Sequence, residues 1–158
     1  MPVDNDSTVA KPSSRLHELG LVLPKAPTPL GAYVEASEVG SLLFLSGTLA
    51  LRDRRLAISG RLGVDLSVEQ GREAARLAAL NALAAAQEHV GELDRLKKLV
   101  KLSVFLLTTE DFVEHAAVAD GASSLFVRTV RHGCGTRPRR VRGAQHARRH
   151  TGYRRNGL

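Results

Sequence analysis

Hydrophobic and polar positions change their period several times along the chain, and each change marks an element. Residues 24–36 run from a turn-rich entry, with Pro24, Pro27, Pro29 and Gly31, into the alternating Ala32-Tyr33-Val34-Glu35-Ala36, which predicts a short strand. Gly40 turns the chain. The uninterrupted run Leu42-Leu43-Phe44-Leu45-Ser46, closed by Gly47, then predicts a strand buried on both faces. Another strand is expected near residues 56–60, after the polar turn Arg52-Asp53-Arg54-Arg55. The period next becomes helical. Ser67 can cap a helix over residues 67–89, with Gln70 at the reciprocal position of a capping box and Gly91 where a C-terminal cap glycine belongs. Ala75, Ala78, Ala82 and Ala85, flanked by Leu77, Leu80 and Leu83, give that helix a wide small-residue face suited to lying closely on a sheet. Residues 99–107 return to period two, with Val100, Leu102, Val104 and Leu106 on one side and Lys101 and Ser103 on the other, the pattern of a half-buried strand. Thr109-Glu110-Asp111 opens a second helix, with Thr109 as cap, the two acids at the positive end, and Phe112, Val113, Val118, Leu125, Phe126 and Val127 inside.

Strands with helices segregated on one face make an α+β design, and the pattern stops where another strand is needed. Residues 128–158 hold ten arginines, three histidines (His132, His146 and His150) and no Lys, Asp or Glu, a composition from which no packed core can be built. The other 127 residues carry 13 Lys and Arg against 16 Asp and Glu, so the body is −3, the tail is +10, and together they make the formal +7. The high isoelectric point is therefore a property of the tail. A length of 158 residues suits one domain. The expected organisation is a disordered start over residues 1–15, a domain over 16–127 and a disordered tail over 128–158. Residues 1–15 show neither a basic start nor an apolar stretch, and no run of about 18 apolar residues occurs, so a soluble, cytoplasmic chain without a membrane partner is expected. The lone Cys134 can form neither an internal disulfide nor a cysteine metal site. His17, His89 and His115 lack ligand spacing and read as surface or capping residues, so no metal site is expected.

Several runs resemble the Rid family, also called YjgF-like, the reactive-intermediate deaminases. They are Pro29-Leu30-Gly31-Ala32-Tyr33, Leu43-Phe44-Leu45-Ser46-Gly47-Thr48, residues 64–76 with their core Val68-Glu69-Gln70-Gly71-Arg72-Glu73-Ala74-Ala75, Leu99-Val100-Lys101-Leu102-Ser103-Val104-Phe105, and Glu110-Asp111-Phe112. The entry Leu16-His17-Glu18-Leu19-Gly20, followed by Leu23-Pro24, is similar to one subgroup. The resemblance implies a chorismate-mutase-like fold: a curved, mainly antiparallel sheet with two helices on one face, assembled as a homotrimer with ligand clefts between subunits. It also implies hydrolysis of enamine or imine intermediates, of the 2-aminoacrylate and 2-iminopropanoate type, to a 2-oxo acid and ammonia, without cofactor. In the family an Arg in a His-Ala-Arg-x-x-x-Gly-Val strand holds the substrate carboxylate, and a Glu in the final strand positions water. This chain has neither motif.

Both motifs return when the tail is back-translated with free third bases and read one nucleotide later. The codons of residues 134–143 then permit Ala-Gly-His-Ala-Arg-Ala-Val-Tyr-Gly, the Arg arising from Pro138 and Arg139. Those of residues 143–158 permit Val-His-Ser-Thr-Pro-Gly-Gly-Thr-Pro-Val-Ile-Val-Glu-Met-Val and then Phe, the Glu arising from Arg155 and Asn156. A one-base slip near Val127 or Arg128 would replace the last strands of a Rid-like protein by an out-of-frame tail. The tail's arginines then carry no selected role, and nucleic-acid binding through counterion release is incidental to them; Tyr153 is the tail's single aromatic for base stacking.

The candidate pocket residues each have a second reading. Tyr33 either lines the ligand cleft or is an ordinary half-buried strand tyrosine. Ser46, Gly47 and Thr48 either offer a hydroxyl and backbone N–H to a carboxylate or form a plain turn. Asp120 stands where the family often has Asn, and its charge would repel a carboxylate that an amide could hold. Three classes of function follow: an imine deaminase rendered inactive by loss of the catalytic Arg and Glu, a non-catalytic ligand- or protein-binding member, and an RNA-binding or endoribonuclease-type protein using the basic tail. Loss of two strands would also uncover apolar sheet surface, so aggregation or poor expression is expected.

Overall fold

The computed structural model describes residues 11–28 and 31–130. In chain order the elements are helix α1 (Pro12–Glu18), strands β1 (Ala36–Val39), β2 (Leu42–Leu45), β3 (Leu51–Arg52) and β4 (Arg55–Leu56), helix α2 (Val68–Val90), a 3₁₀ turn at Leu93–Arg95, and helix α3 (His115–Thr129). The architecture is α+β, with small antiparallel sheets: β1 pairs with β2 and β3 with β4.

Helix α2 forms where the local code predicts it. The Ser67 hydroxyl accepts from the Gln70 N–H at 3.2 Å, and the Gln70 side chain accepts from the Ser67 N–H at 2.9 Å, which closes the capping box. Gly91 ends the helix at φ +79° with its N–H on the Gln87 carbonyl. The small-residue face was expected to lie on a sheet, but α2 is buried round most of its circumference and packs chiefly on α3. Leu83 and Val118 are among the most deeply buried side chains; Leu83 joins Ala79, Leu80, Leu125 and Phe126 in one core, and Val118 packs where α2 has Gly71. The backbones approach closely there: a Cβ added at Gly121 would collide with the Arg72 carbonyl oxygen. A second face of α2 meets the hairpins. Buried Asn81 donates from Nδ2 to the carbonyls of Leu49 (3.1 Å) and Leu51 (3.0 Å) as well as to Leu77 within its own helix.

Other expectations are displaced. Helix α1 takes in residues 12–15, for which no regular structure was predicted. Pro12 occupies its first turn, where a missing N–H costs nothing, and its Ser13 is held by Asp94. The first strand lies at 36–39 rather than 32–36, because residues 31–33 bend and the Tyr33 N–H bonds back to the Gly31 carbonyl. Residues 42–45 do form a strand, yet it is not buried on both faces. In a two-stranded ribbon Leu42, Phe44 and Leu45 stay exposed, Phe44 by 56%. The strand expected at 56–60 shrinks to β4, joined to β3 by Asp53 and Arg54, both at positive φ (52° and 64°), the geometry of a two-residue I′ turn.

The second helix starts at His115 instead of Thr109. The Thr109 N–H is committed to the Leu62 carbonyl at 2.9 Å, and Leu62 in turn donates to Leu107 at 3.0 Å. The Thr109 side chain lies against Gly63, and the chain turns at residues 110–111, with the Phe112 N–H on the Thr109 carbonyl, before α3 begins; Val113 is left 83% exposed, and Val127 lies on the outer face of α3. Residues 99–107 alternate as predicted, with Leu102, Val104 and Leu106 facing inward and Lys101 and Ser103 outward; Val100, expected inside, is exposed. No strand ladder forms along them among the described residues. Thr129 and Val130, which composition assigned to the tail, are buried at the end of α3. Residues 131–158, and with them the shifted Arg and Glu positions, lie outside the described residues.

Candidate functional site

The segments carrying Tyr33 and Ser46-Gly47-Thr48 are tied to each other and to α2. The Ser46 N–H donates to the Glu35 carbonyl at 2.9 Å, extending the β1–β2 pairing by one step. The Ser46 hydroxyl donates to the Val34 carbonyl at 2.6 Å, next to Tyr33, whose side chain is 44% exposed. The Thr48 hydroxyl reaches the other way and donates to the Ala78 carbonyl in α2 at 2.9 Å. Each hydroxyl proton is thus used to hold the turn. Gly47, between them, has open space where a side chain would stand. Among the described residues the Gly47 and Thr48 N–H groups make no hydrogen bond, so what the turn offers a ligand is backbone donors rather than hydroxyls.

Asp120 is not part of this cluster. It sits on α3, which packs on α1 and α2 and meets neither hairpin. Its carboxylate pairs with Arg72 at 3.8 Å and accepts from the Ser123 hydroxyl at 3.2 Å. It lines a cavity of about 250 Å³ between α2, α3 and the loop after α1, together with Leu21, Arg72, Arg76, Ser124 and Arg128. Glu73 and Arg76 form a two-pronged pair in the same groove, at 2.8 and 3.0 Å. The hydrogen bonds from Arg76 hold the Glu73 carboxyl below the usual glutamate range, and the same bonds raise Arg76. Three acids (Glu69, Glu73 and Asp120) balance three arginines (Arg72, Arg76 and Arg128) along the groove, which therefore has no net charge to draw an ion. The groove is not among the features expected from the sequence, although Glu69/Arg72 and Glu73/Arg76 stand at helical i,i+3 spacing.

The histidines do not converge. His89 faces Glu38 at 3.5 Å, His115 meets Phe112 edge to face with centroids 5.2 Å apart, and His17 lies in the last turn of α1. Among the described residues no three His, Cys, Asp or Glu side chains gather as a metal site, and no helix is long and apolar enough to cross a membrane.

Comparison with known proteins places this arrangement. The model of a family described as "YjgF/chorismate mutase-like, putative endoribonuclease" matches residues 13–144, a span that runs past the change of composition near residue 127. Protein TCP17 of Trypanosoma cruzi is 39% identical over 115 residues, covering 73% of this chain and 72% of that protein. A crystal structure from Shewanella oneidensis MR-1, described as a "putative endoribonuclease", superposes with a TM-score of 0.73 at 39% identity, over 76% of this chain and 80% of that one. A structure of unknown function from Agrobacterium tumefaciens gives 0.67 at 33% identity, over 75% and 72%.

Proposed function

The chain belongs to the YjgF/chorismate-mutase-like family, and from that premise we propose that its in-frame parent is a Rid-type deaminase while the chain as encoded is inactive. The reaction assigned to the parent is hydrolysis of a 2-imino acid. Water adds to the C=N carbon, the nitrogen takes up protons, and collapse of the carbinolamine expels ammonia and leaves the 2-oxo acid. Two side chains suffice for it: a guanidinium fork that fixes the carboxylate, and a carboxylate that orients the water and moves its proton. The observation that carries the reading is the tail. One nucleotide of shift restores both the His-Ala-Arg strand and the Val-Ile-Val-Glu strand, in order, from codons with two fixed bases each.

The retained part of the cleft fits a supporting role. Tyr33 lies beside Val34, to which Ser46 is bonded, and the Gly47 and Thr48 N–H groups can meet a carboxylate oxygen. Asp120 is committed to Arg72 and is assigned a structural part. In the parent, a homotrimer would cover strand surface that is bare here. The description of the Shewanella protein as an endoribonuclease and the ten arginines of the tail favour RNA binding as the second reading.

The test compares the encoded chain with its frame-restored version in 2-iminopropanoate hydrolysis. The restored chain is expected to accelerate 2-oxo acid release, and the encoded chain to remain at background. Equal activity in both would overturn the assignment of Arg and Glu. Deleting residues 131–158 separates the RNA reading: selective RNA binding at physiological salt that disappears with the tail would support it, whereas indiscriminate polyanion binding marks a by-product.

A further inference from the structure

Residues 99–107 are laid out as a strand with no strand beside them among the described residues. Leu99, Leu102 and Val104 pack against the core shared by α1, α2 and α3, so side chains alone hold this segment in its sheet position. Among the described residues no backbone N–H or C=O from 99 to 106 is hydrogen-bonded; the first tie is the Leu107 carbonyl, which accepts from the Leu62 N–H at 3.0 Å. Along a strand these groups point to the two edges in alternation, so among the described residues neither edge of the segment is paired. Its outward face is mixed: Val100, Phe105 and Leu107 are 67%, 81% and 63% exposed beside the polar Lys101 and Ser103. An extended segment with unpaired edges is a template for strand addition.

We infer that residues 99–107 bind extended peptide in trans, one strand on each edge, the partner being the strand-like ending that the shifted frame encodes. The inference rests on the frame-slip reading above for the identity of that partner. The shifted tail offers two strand-like runs, His-Ala-Arg-Ala-Val-Tyr-Gly and Val-Ile-Val-Glu-Met-Val-Phe, one for each edge. At about 3.3 Å per residue each spans roughly 23 Å, within the roughly 30 Å of a nine-residue edge. Val, Ile and Tyr suit a pleated surface, and the second run is preceded by Pro, which a strand tolerates at its start. The encoded tail cannot serve, because ten arginines without one acid would crowd like charges along the ladder. The kind of partner that fits is thus a chain carrying the in-frame ending, or a peptide cut from it.

The full chain is mixed with a synthetic peptide of the shifted reading of residues 134–158, and amide hydrogen exchange is followed residue by residue. Exchange at 100–107 is expected to slow by about tenfold or more, with α2 and α3 little changed. The same peptide with proline at the centre of its Val-Ile-Val run, and a peptide in the encoded frame, should leave it unchanged. Where the free chain precipitates, co-expression with the in-frame segment should raise its soluble yield, and an unaltered yield counts against the inference. Concentration-dependent protection of 100–107 without peptide would show the edges pairing between copies of this chain, and would overturn it. No protection at saturating peptide, while the frame-restored single chain is protected there, overturns docking in trans and leaves the frame reading intact. If the restored chain is also unprotected, both fall.

Discussion

The helical layer and the strand layer of this chain close their hydrogen bonds in different ways, and the difference decides which of them is complete. Helices α2 and α3 satisfy their backbones internally and need a neighbour only for their apolar faces, which they supply to each other at Leu83, Val118 and Phe126. The strands satisfy nothing alone. β1 and β2 pair with each other and stop, β3 and β4 do the same, and residues 99–107 pair with no strand among the described residues. Apolar side chains follow suit, buried in the first layer and exposed at Val39, Phe44 and Phe105 in the second. A chain whose last strands were exchanged for an unrelated tail would therefore keep its helices, because helical hydrogen bonds are local and sheet hydrogen bonds are not.

The largest effect is expected where the layers contrast most. Leu83→Ala removes a side chain that is 1% exposed at the α2–α3 contact and should cost about 2–5 kcal/mol. Phe44→Ala, in a strand position 56% exposed, should cost less than about 0.5 kcal/mol. Urea midpoints followed by circular dichroism compare the two. Equal losses would mean that the β1–β2 ribbon is packed in solution, and the contrast would fail.

What could be read from the sequence divides along the same line. The Ser67 cap, the Gln70 return bond and the Gly91 stop depend on neighbours three or four residues away, so their spacing announced α2 directly. The alternation of 99–107 was legible, but not the exposure of Val100, which packing against the helices decides. Thr109 looked like a cap because its own neighbours are Glu110 and Asp111; its side chain is instead taken up against Gly63, far away in sequence. At the candidate site, Ser46 and Thr48 were picked out for their hydroxyls. The acceptors that engage those hydroxyls, the carbonyls of Val34 and Ala78, become visible only once the chain is folded. Asp120 was grouped with them by resemblance, and its place on α3 separates it.

A medium effect is expected at the joint between the layers. Asn81→Ala withdraws the donor that the Leu49 and Leu51 carbonyls share, with a cost of about 1–3 kcal/mol felt mainly by the β3–β4 hairpin. Trypsin should then cut faster at Arg52, Arg54 and Arg55 while the helical signal is retained. Loss of helix and hairpin together would show that the strand layer supports α2, against the independence argued above.

The smallest effect tests whether the helical layer is wholly local, since α1 is its exception. Lys11 at the N-cap provides no side-chain bond, and Asp94 caps the helix from 81 residues away: its carboxylate accepts from the Ser13 N–H and from the Ser13 hydroxyl, each at 2.9 Å, with Lys11 at 3.9 Å. The backbone bond from Ser13 is the main cause that holds the Asp94 carboxyl below the ordinary aspartate range, despite partial desolvation. Because its value is lower folded than unfolded, the folded state holds the proton less. Its stabilising part is full above the unfolded value of about 4 and is lost as pH falls through that value toward the folded one. Glu73 is shifted in the same direction, so acid alone does not isolate Asp94. Asp94→Asn does, because it keeps one acceptor and removes the charge. The stability difference between the two chains should be largest near neutrality and should shrink as pH is lowered from about 5 to 3, with amide exchange in α1 quickening in the unsubstituted chain alone. A difference that stays constant with pH would assign the clip to neutral hydrogen bonding and leave the charge of Asp94 without a part in holding α1.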